Sequence, residues 1–112
     1  MSYEWPTYQI ELPMGFDVPL FIRAVEGKHK KLWLIKLDDE PGIIRLKGVV
    51  LGDNVRVFVD IISPHQKDHN RMRYMFVTTP WYQNLSAKEV TKIISEIVGS
   101  DTIYHEGERV YL

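Results

Sequence analysis

Ile43-Ile44-Arg45-Leu46-Lys47-Gly48-Val49-Val50-Leu51-Gly52-Asp53-Asn54-Val55-Arg56-Val57-Phe58-Val59-Asp60-Ile61-Ile62 is the stretch that decides the fold class. Gly, Asp and Asn tolerate the positive φ of tight turns, so Gly52-Asp53-Asn54 predicts a hairpin between a strand over Ile43 to Leu51 and its return over Val55 to Ile62. On the return strand Val55, Val57, Val59 and Ile61 share one face, while Arg56, Phe58, Asp60 and Ile62 share the other. A period of two is the strand period, and one of these faces is apolar enough to be a core.

Working outward, Lys31 to Leu37 reads as the preceding strand, with Leu32 and Leu34 opposed to Trp33, Ile35 and Leu37. The acidic turn Asp38-Asp39-Glu40-Pro41-Gly42 joins it to the hairpin. Further back, Tyr8, Ile10 and Leu12 alternate with Gln9 and Glu11, and Pro13 closes that strand. Val18 to Val25 also reads as a strand, with Leu20, Ile22 and Ala24 on one face and Phe21, Arg23 and Val25 on the other; Pro19 suggests an edge or a late start. Downstream of the polar loop Pro64 to Asn70, Arg71 to Thr79 is a sixth strand with Met72, Tyr74 and Phe76 in register. Short connections make a strongly bent antiparallel meander of about six strands, open or curled toward a barrel, the expected topology.

The period then changes. Ser86-Ala87-Lys88-Glu89 fits a capping box, and Val90, Ile93, Ile94 and Ile97 follow at helical spacing with Gly99 at the position after the helix. A C-terminal helix over about 86–98 is therefore expected to pack on one sheet face. Thr102 to His105 and Glu108 to Leu112, joined by Glu106-Gly107, read as a short terminal hairpin. Composition agrees: Val and Ile number 11 each against 2 Ala, and β-branched residues favour pleated, half-buried surfaces. Residues 1–112 are thus expected to form one α+β domain, a bent antiparallel sheet with one helix.

Composition also excludes. With 0 Cys, disulfides, thiolate metal sites and cysteine nucleophiles are ruled out. No apolar run approaches the ~20 residues of a membrane span, and residues 1–6 lack a basic segment followed by an apolar one, so a cytoplasmic location without a membrane partner is expected. Gly48, Gly52 and the other glycines match no phosphate-cradling spacing, and Ser63 has no nucleophile-elbow pattern. No catalytic residue and no cofactor is therefore assigned, and an enzyme is the less favoured class.

Three surfaces remain. The first is apolar: Phe21, Val25, Trp33, Val49, Phe58, Ile62 and Val77 fall on strand faces that one helix cannot cover, and Trp81 and Tyr82 add loop aromatics. Phe21, Trp33, Phe58, Trp81 and Tyr82 are the candidate interface residues of a non-catalytic interaction module that self-associates through a sheet face or edge or takes a protein partner. The second is basic. The net charge of −1 conceals a middle segment, residues 20–75, with eleven bases and seven acids between two acidic ends. Arg23, Arg45, Lys47, Arg56, Arg71 and Arg73 lie out of phase with the main apolar set, and interleaved with aromatics they would suit RNA or single-stranded DNA. The third is the loop holding His65, Asp68 and His69, whose i,i+4 histidines could ligate a first-row metal if the loop turned helically.

Overall fold

The computed structural model describes residues 5–28, 32–40, 42–50, 55–63, 73–80 and 87–112. Among them lie seven strands and two helices in the order β1 (Thr7–Glu11), α1 (Val18–Lys28), β2 (Leu32–Glu40), β3 (Ile43–Val50), β4 (Val55–Ile62), β5 (Tyr74–Thr78), α2 (Ala87–Val98), β6 (Ile103–His105) and β7 (Glu108–Val110). The strands form one antiparallel sheet ordered β2-β3-β4-β5-β1-β6-β7. This is the expected α+β class. The sheet is open, with β2 and β7 at its two edges, so the barrel-like closure is not adopted.

The main departure from expectation is Val18 to Val25, which is helix rather than strand. Asp17 accepts a hydrogen bond from the Leu20 amide on its Oδ1 at 3.0 Å, while its carbonyl accepts the first helical bond from the Phe21 amide at 3.0 Å. That is an N-cap, and Pro19 falls in the first turn, where an amide would have no intrahelical partner. Phe16, just before the cap, packs its ring 5.5 Å from that of Phe21, the contact of a hydrophobic staple. Val18, Phe21 and Val25 then line the buried side of α1. Phe21 and Val25 are therefore core residues, not members of an outward strand face.

Replacing that strand by a helix also breaks the meander. β1 sits between β5 and β6, pairing Ile10 with both Met75 and Ile103. Counting antiparallel steps from β1 through β5, β4 and β3 to β2 makes β1 and β2 parallel, so α1 is a crossover helix. By the same count β5 and β6 are parallel with β1 between them, and α2 makes the second crossover. A parallel return needs such a connection, which a two-residue turn cannot supply.

Both helices pack on one face. Val18, Phe21 and Val25 of α1 and Val90 and Ile94 of α2 join Ile10, Leu34, Ile44, Leu46, Val57, Val59, Ile61, Met75, Val77 and Ile103 in a single buried cluster. The register aligns these strand residues in rows, Leu46 with Val59 with Val77 and Ile44 with Ile61 with Met75. In β5 the buried residues are thus Met75 and Val77, and Tyr74 and Phe76 take the opposite face, the reverse of the phase read from Met72, Tyr74 and Phe76. The expected C-terminal helix is present as Ala87–Val98, and Gly99 follows at φ 80° while Ser95 accepts from the amides of Gly99 and Ser100. Ser86, its expected cap, lies outside the described residues. The terminal hairpin turns through Glu106 (φ 53°) and Gly107 (φ 79°), two consecutive positive φ values of the kind a type I′ turn needs.

Candidate functional site on the outer sheet face

The face away from the helices carries Trp33 and Ile35 of β2, Ile43, Arg45 and Lys47 of β3, Arg56, Phe58, Asp60 and Ile62 of β4, Tyr74, Phe76 and Thr78 of β5, Thr7 and Gln9 of β1, and Tyr104 of β6. Strict alternation from the buried set places each of them there. Cross-strand neighbours run in rows. One row is Ile35, Lys47, Phe58, Thr78 and Thr7; the next is Arg45, Asp60, Phe76, Gln9 and Tyr104.

The first row ends in a built aromatic stack. Thr7 Oγ1 lies 3.2 Å from the Trp5 carbonyl and 2.9 Å from Thr78 Oγ1. A consistent proton order has Thr78 donating to Thr7 and Thr7 donating to Trp5. That relay ties the chain before β1 to the sheet beside Phe58, whose register partner is Thr78. The Trp5 ring accordingly stacks on Phe58, with centroids 5.7 Å apart and planes 21° from parallel.

In the second row Asp60 stands between Phe58 and Ile62 along β4 and opposite Phe76. Burial among these groups raises its pKa above the ordinary carboxylate value, and Arg45, whose Nε is 3.9 Å from Asp60 Oδ1, offsets part of that rise. Both side chains stay about half exposed, so the pair adds little to stability.

β2 contributes a different surface. Trp33, Ile35 and Leu37 are 51%, 57% and 59% exposed, three large apolar side chains in alternation on one strand. Leu37 is the extra residue of a β-bulge, since Lys36 pairs with Leu46 and Asp38 with Arg45.

The sequence-derived candidates divide accordingly. Arg45, Lys47 and Arg56 are brought together on this face with Trp33 and Phe58. Arg23 is not with them: it is exposed on α1, on the helix side of the sheet. Arg73 is exposed just before β5, in phase with Met75 and so on the helix side too. Phe21 is 4% exposed and Val77 is fully buried, so neither is available to a partner. Arg71, Trp81, Tyr82 and the proposed ligands His65, Asp68 and His69 lie outside the described residues; among those described, no group of three His, Asp or Glu side chains is placed to hold a metal ion. Tyr74, Phe76 and Tyr104 were missed as outer-face aromatics. The only available signal was that Tyr74-Met75-Phe76-Val77 is apolar in both phases.

No protein-family model, curated protein or solved structure matches the chain. No described helix is long and apolar enough to cross a membrane.

Proposed function

We propose that this protein is a non-catalytic interaction module that self-associates through the outer face of its sheet, over the β2 stripe. The observation that carries the reading is the exposure of Trp33, Ile35 and Leu37, each more than half open, with Trp33 and Ile35 on the face opposite both helices. Together they leave roughly 350 Å² of apolar surface per copy, within the range at which a patch on a monomer is worth explaining.

The edges argue against the other mode of sheet association. β7 is three residues long and carries Glu108 and Arg109. β2 is interrupted by its bulge, and the Lys36 position faces the helix side at mid-edge, where a charge opposes strand addition. Two copies meeting over the stripe would bury about 700 Å² before the rim is counted, below the ~1,600 Å² of standard interfaces, which points to micromolar rather than nanomolar affinity.

Sedimentation equilibrium from about 5 to 500 μM is the test. The expected result is a rise in mass from 13.2 kDa toward twice that value. The variant Trp33→Thr, Ile35→Thr, Leu37→Thr keeps β-favouring residues at all three positions and is expected to stay monomeric. A wild-type chain that is monomeric throughout, or a variant that dimerises as the wild type does, refutes the reading.

A further inference from the structure

We infer that the cleft beside the C-terminal end of α2 is a binding site for an alkylammonium ion, an amine cation on a short apolar body. The cleft measures about 590 Å³ and lies between the last two turns of α2, the turn that follows them and residues 111–112. That volume is within the range of small-molecule sites. The cleft is on the helix side of the sheet, away from the β2 stripe, and does not depend on self-association.

The charges at this end run against the helix. The carbonyl end of a helix is its negative pole, where a basic side chain is favoured. α2 has no basic residue in its last turn; Glu96 stands there instead and Asp101 follows just beyond the helix, both on the cleft. Neither carboxylate is in an ion pair among the described residues. Negative charge held against a helix's own negative pole is a local conflict of the kind that marks a site rather than a structural contact. Among the described residues the one cation lining the cleft is Lys92, which precedes Gly99 by two turns, about 10 Å along the axis, and so stands at the opposite end. Arg109 is engaged over the Tyr111 ring, 5.2 Å from its centroid.

The hydrogen-bonding groups have the same bias. Ser95 Oγ donates to the Lys92 carbonyl at 2.8 Å, and Ser100 Oγ donates to the Glu11 carbonyl at 2.6 Å while taking a long bond, 3.4 Å, from the Thr102 amide. With their protons committed, both hydroxyls are left as acceptors, like the carboxylates beside them. The turn at Gly99, φ 80°, keeps the space before them open, since a Cβ there would meet nothing within 4 Å. Ile103, Tyr111 and Leu112 supply an apolar wall, and Tyr111 is 78% exposed. Several acceptors, one remote cation and an apolar wall suit a ligand that brings three N–H donors on a hydrocarbon stem. A bare divalent ion is poorly matched: two carboxylates fall short of the six or more oxygens it takes, and no group of three metal-ligating side chains forms among the described residues.

The experiment is an amide proton–nitrogen NMR titration of the full chain with 2-phenylethylamine, protonated at pH 7, in about 20 mM salt. Saturable shifts are expected at residues 95–103 and 111–112, with a Kd of about 1 mM, the scale of a fragment-sized ligand in an open cleft. 2-Phenylethanol, which lacks the charge, and 3-phenylpropionate, which reverses it, should each bind at least about fivefold more weakly. Glu96→Gln and Asp101→Asn should each weaken the amine about threefold and together about tenfold, whereas Lys92→Gln should tighten it about twofold. Nα-acetyl-lysine N-methylamide presents the same cation as a peptide does: tighter binding than the amine assigns the site to a partner's lysine side chain, and weaker binding assigns it to a free amine. Circular dichroism verifies that each variant is folded. No saturable shift up to about 20 mM amine, shifts centred elsewhere, equal binding of the alcohol, or indifference to the Glu96→Gln, Asp101→Asn double variant overturns the inference.

Discussion

Asp17→Ala tests the element on which the topology turns. Asp17 Oδ1 accepts the Leu20 amide, and Pro19 has no amide to offer, so within the first turn the cap serves Leu20. Losing an N-cap acceptor costs about 1 kcal/mol. No acidic residue stands in the first turn of α1, so Asp17 is also the nearest carboxylate to the helix N-terminus, worth about 0.3–0.5 kcal/mol at an exposed site. The expected loss is therefore about 1.5 kcal/mol, or a midpoint shift of roughly 1 M in a urea titration of a domain this size. Asp17→Asn keeps the acceptor and loses the charge, so it should cost only the smaller part. The Phe16–Phe21 staple is untouched in both variants, which isolates the cap. Were Val18 to Val25 a strand, removing Asp before it would be neutral or mildly stabilising, because Asp disfavours β structure. An Asp17→Ala midpoint equal to or above that of the wild type refutes the argument, and so does an Asp17→Asn loss as large as that of Ala.

Two further outcomes follow from burial and charge. Since the folded-state pKa of Asp60 is raised above 3.8, the native chain binds its proton more tightly than the unfolded chain, and this group's contribution to stability falls as pH rises from 3.8 through the raised value. Asp60→Asn should accordingly be at least as stable as wild type at pH 7 and lose that advantage at pH 3, measured by urea unfolding at both; a variant less stable at pH 7 would mean that the Arg45 attraction outweighs burial. Ile94, fully buried between α2 and the sheet, should cost about 2–5 kcal/mol when cut to Ala, read by the same titration, and a loss under 1 kcal/mol would place α2 outside the core.

How legible these features were depended on how local their causes are. The helix over 87–98 was readable because Val90, Ile94 and Gly99 announce their roles within one segment. β4 was readable because Arg56 and Asp60 break the apolar pattern in a single phase. At Val18 to Val25 both periods fit: Leu20, Ile22 and Ala24 alternate, yet Val18, Phe21, Ile22 and Val25 also follow i, i+3, i+4, i+7. Asp17 followed by Pro19 in the first turn was the deciding cap signal, and it outweighs the β-branched bias. In Tyr74-Met75-Phe76-Val77 neither phase is marked, and only the partners Ile61 and Val59 choose Met75 and Val77 for the core. The place of β1 between β5 and β6 depends on pairing across more than sixty positions of sequence, beyond the reach of any local pattern. The candidate site inherited these limits. Arg45, Lys47 and Arg56 were found because β3 and β4 were read correctly, whereas Arg23 and Arg73 were misplaced with their segments, and the Trp5–Phe58 stack joins residues far apart in the sequence.

The bulge in β2 shapes the proposed self-association surface. Without an extra residue at Leu37, regular pairing would continue from Lys36 with Leu46 to Leu37 with Arg45, and would carry Asp38 to the helix side opposite Ile44. The observed shift instead sets the Asp38 position opposite Arg45 and leaves Leu37 as an added apolar group beside Ile35. One irregularity thereby does three things: it interrupts the edge, lengthens the apolar stripe to three residues, and gives Arg45 an acidic neighbour position on each side. Deleting Leu37 should restore regular pairing to the strand while removing one exposed side chain. The same change should weaken self-association, whereas Asp38, which would then follow Lys36 directly, stays opposite Arg45. Stronger self-association after the deletion would show that the β2 edge, rather than the face, is where two copies meet.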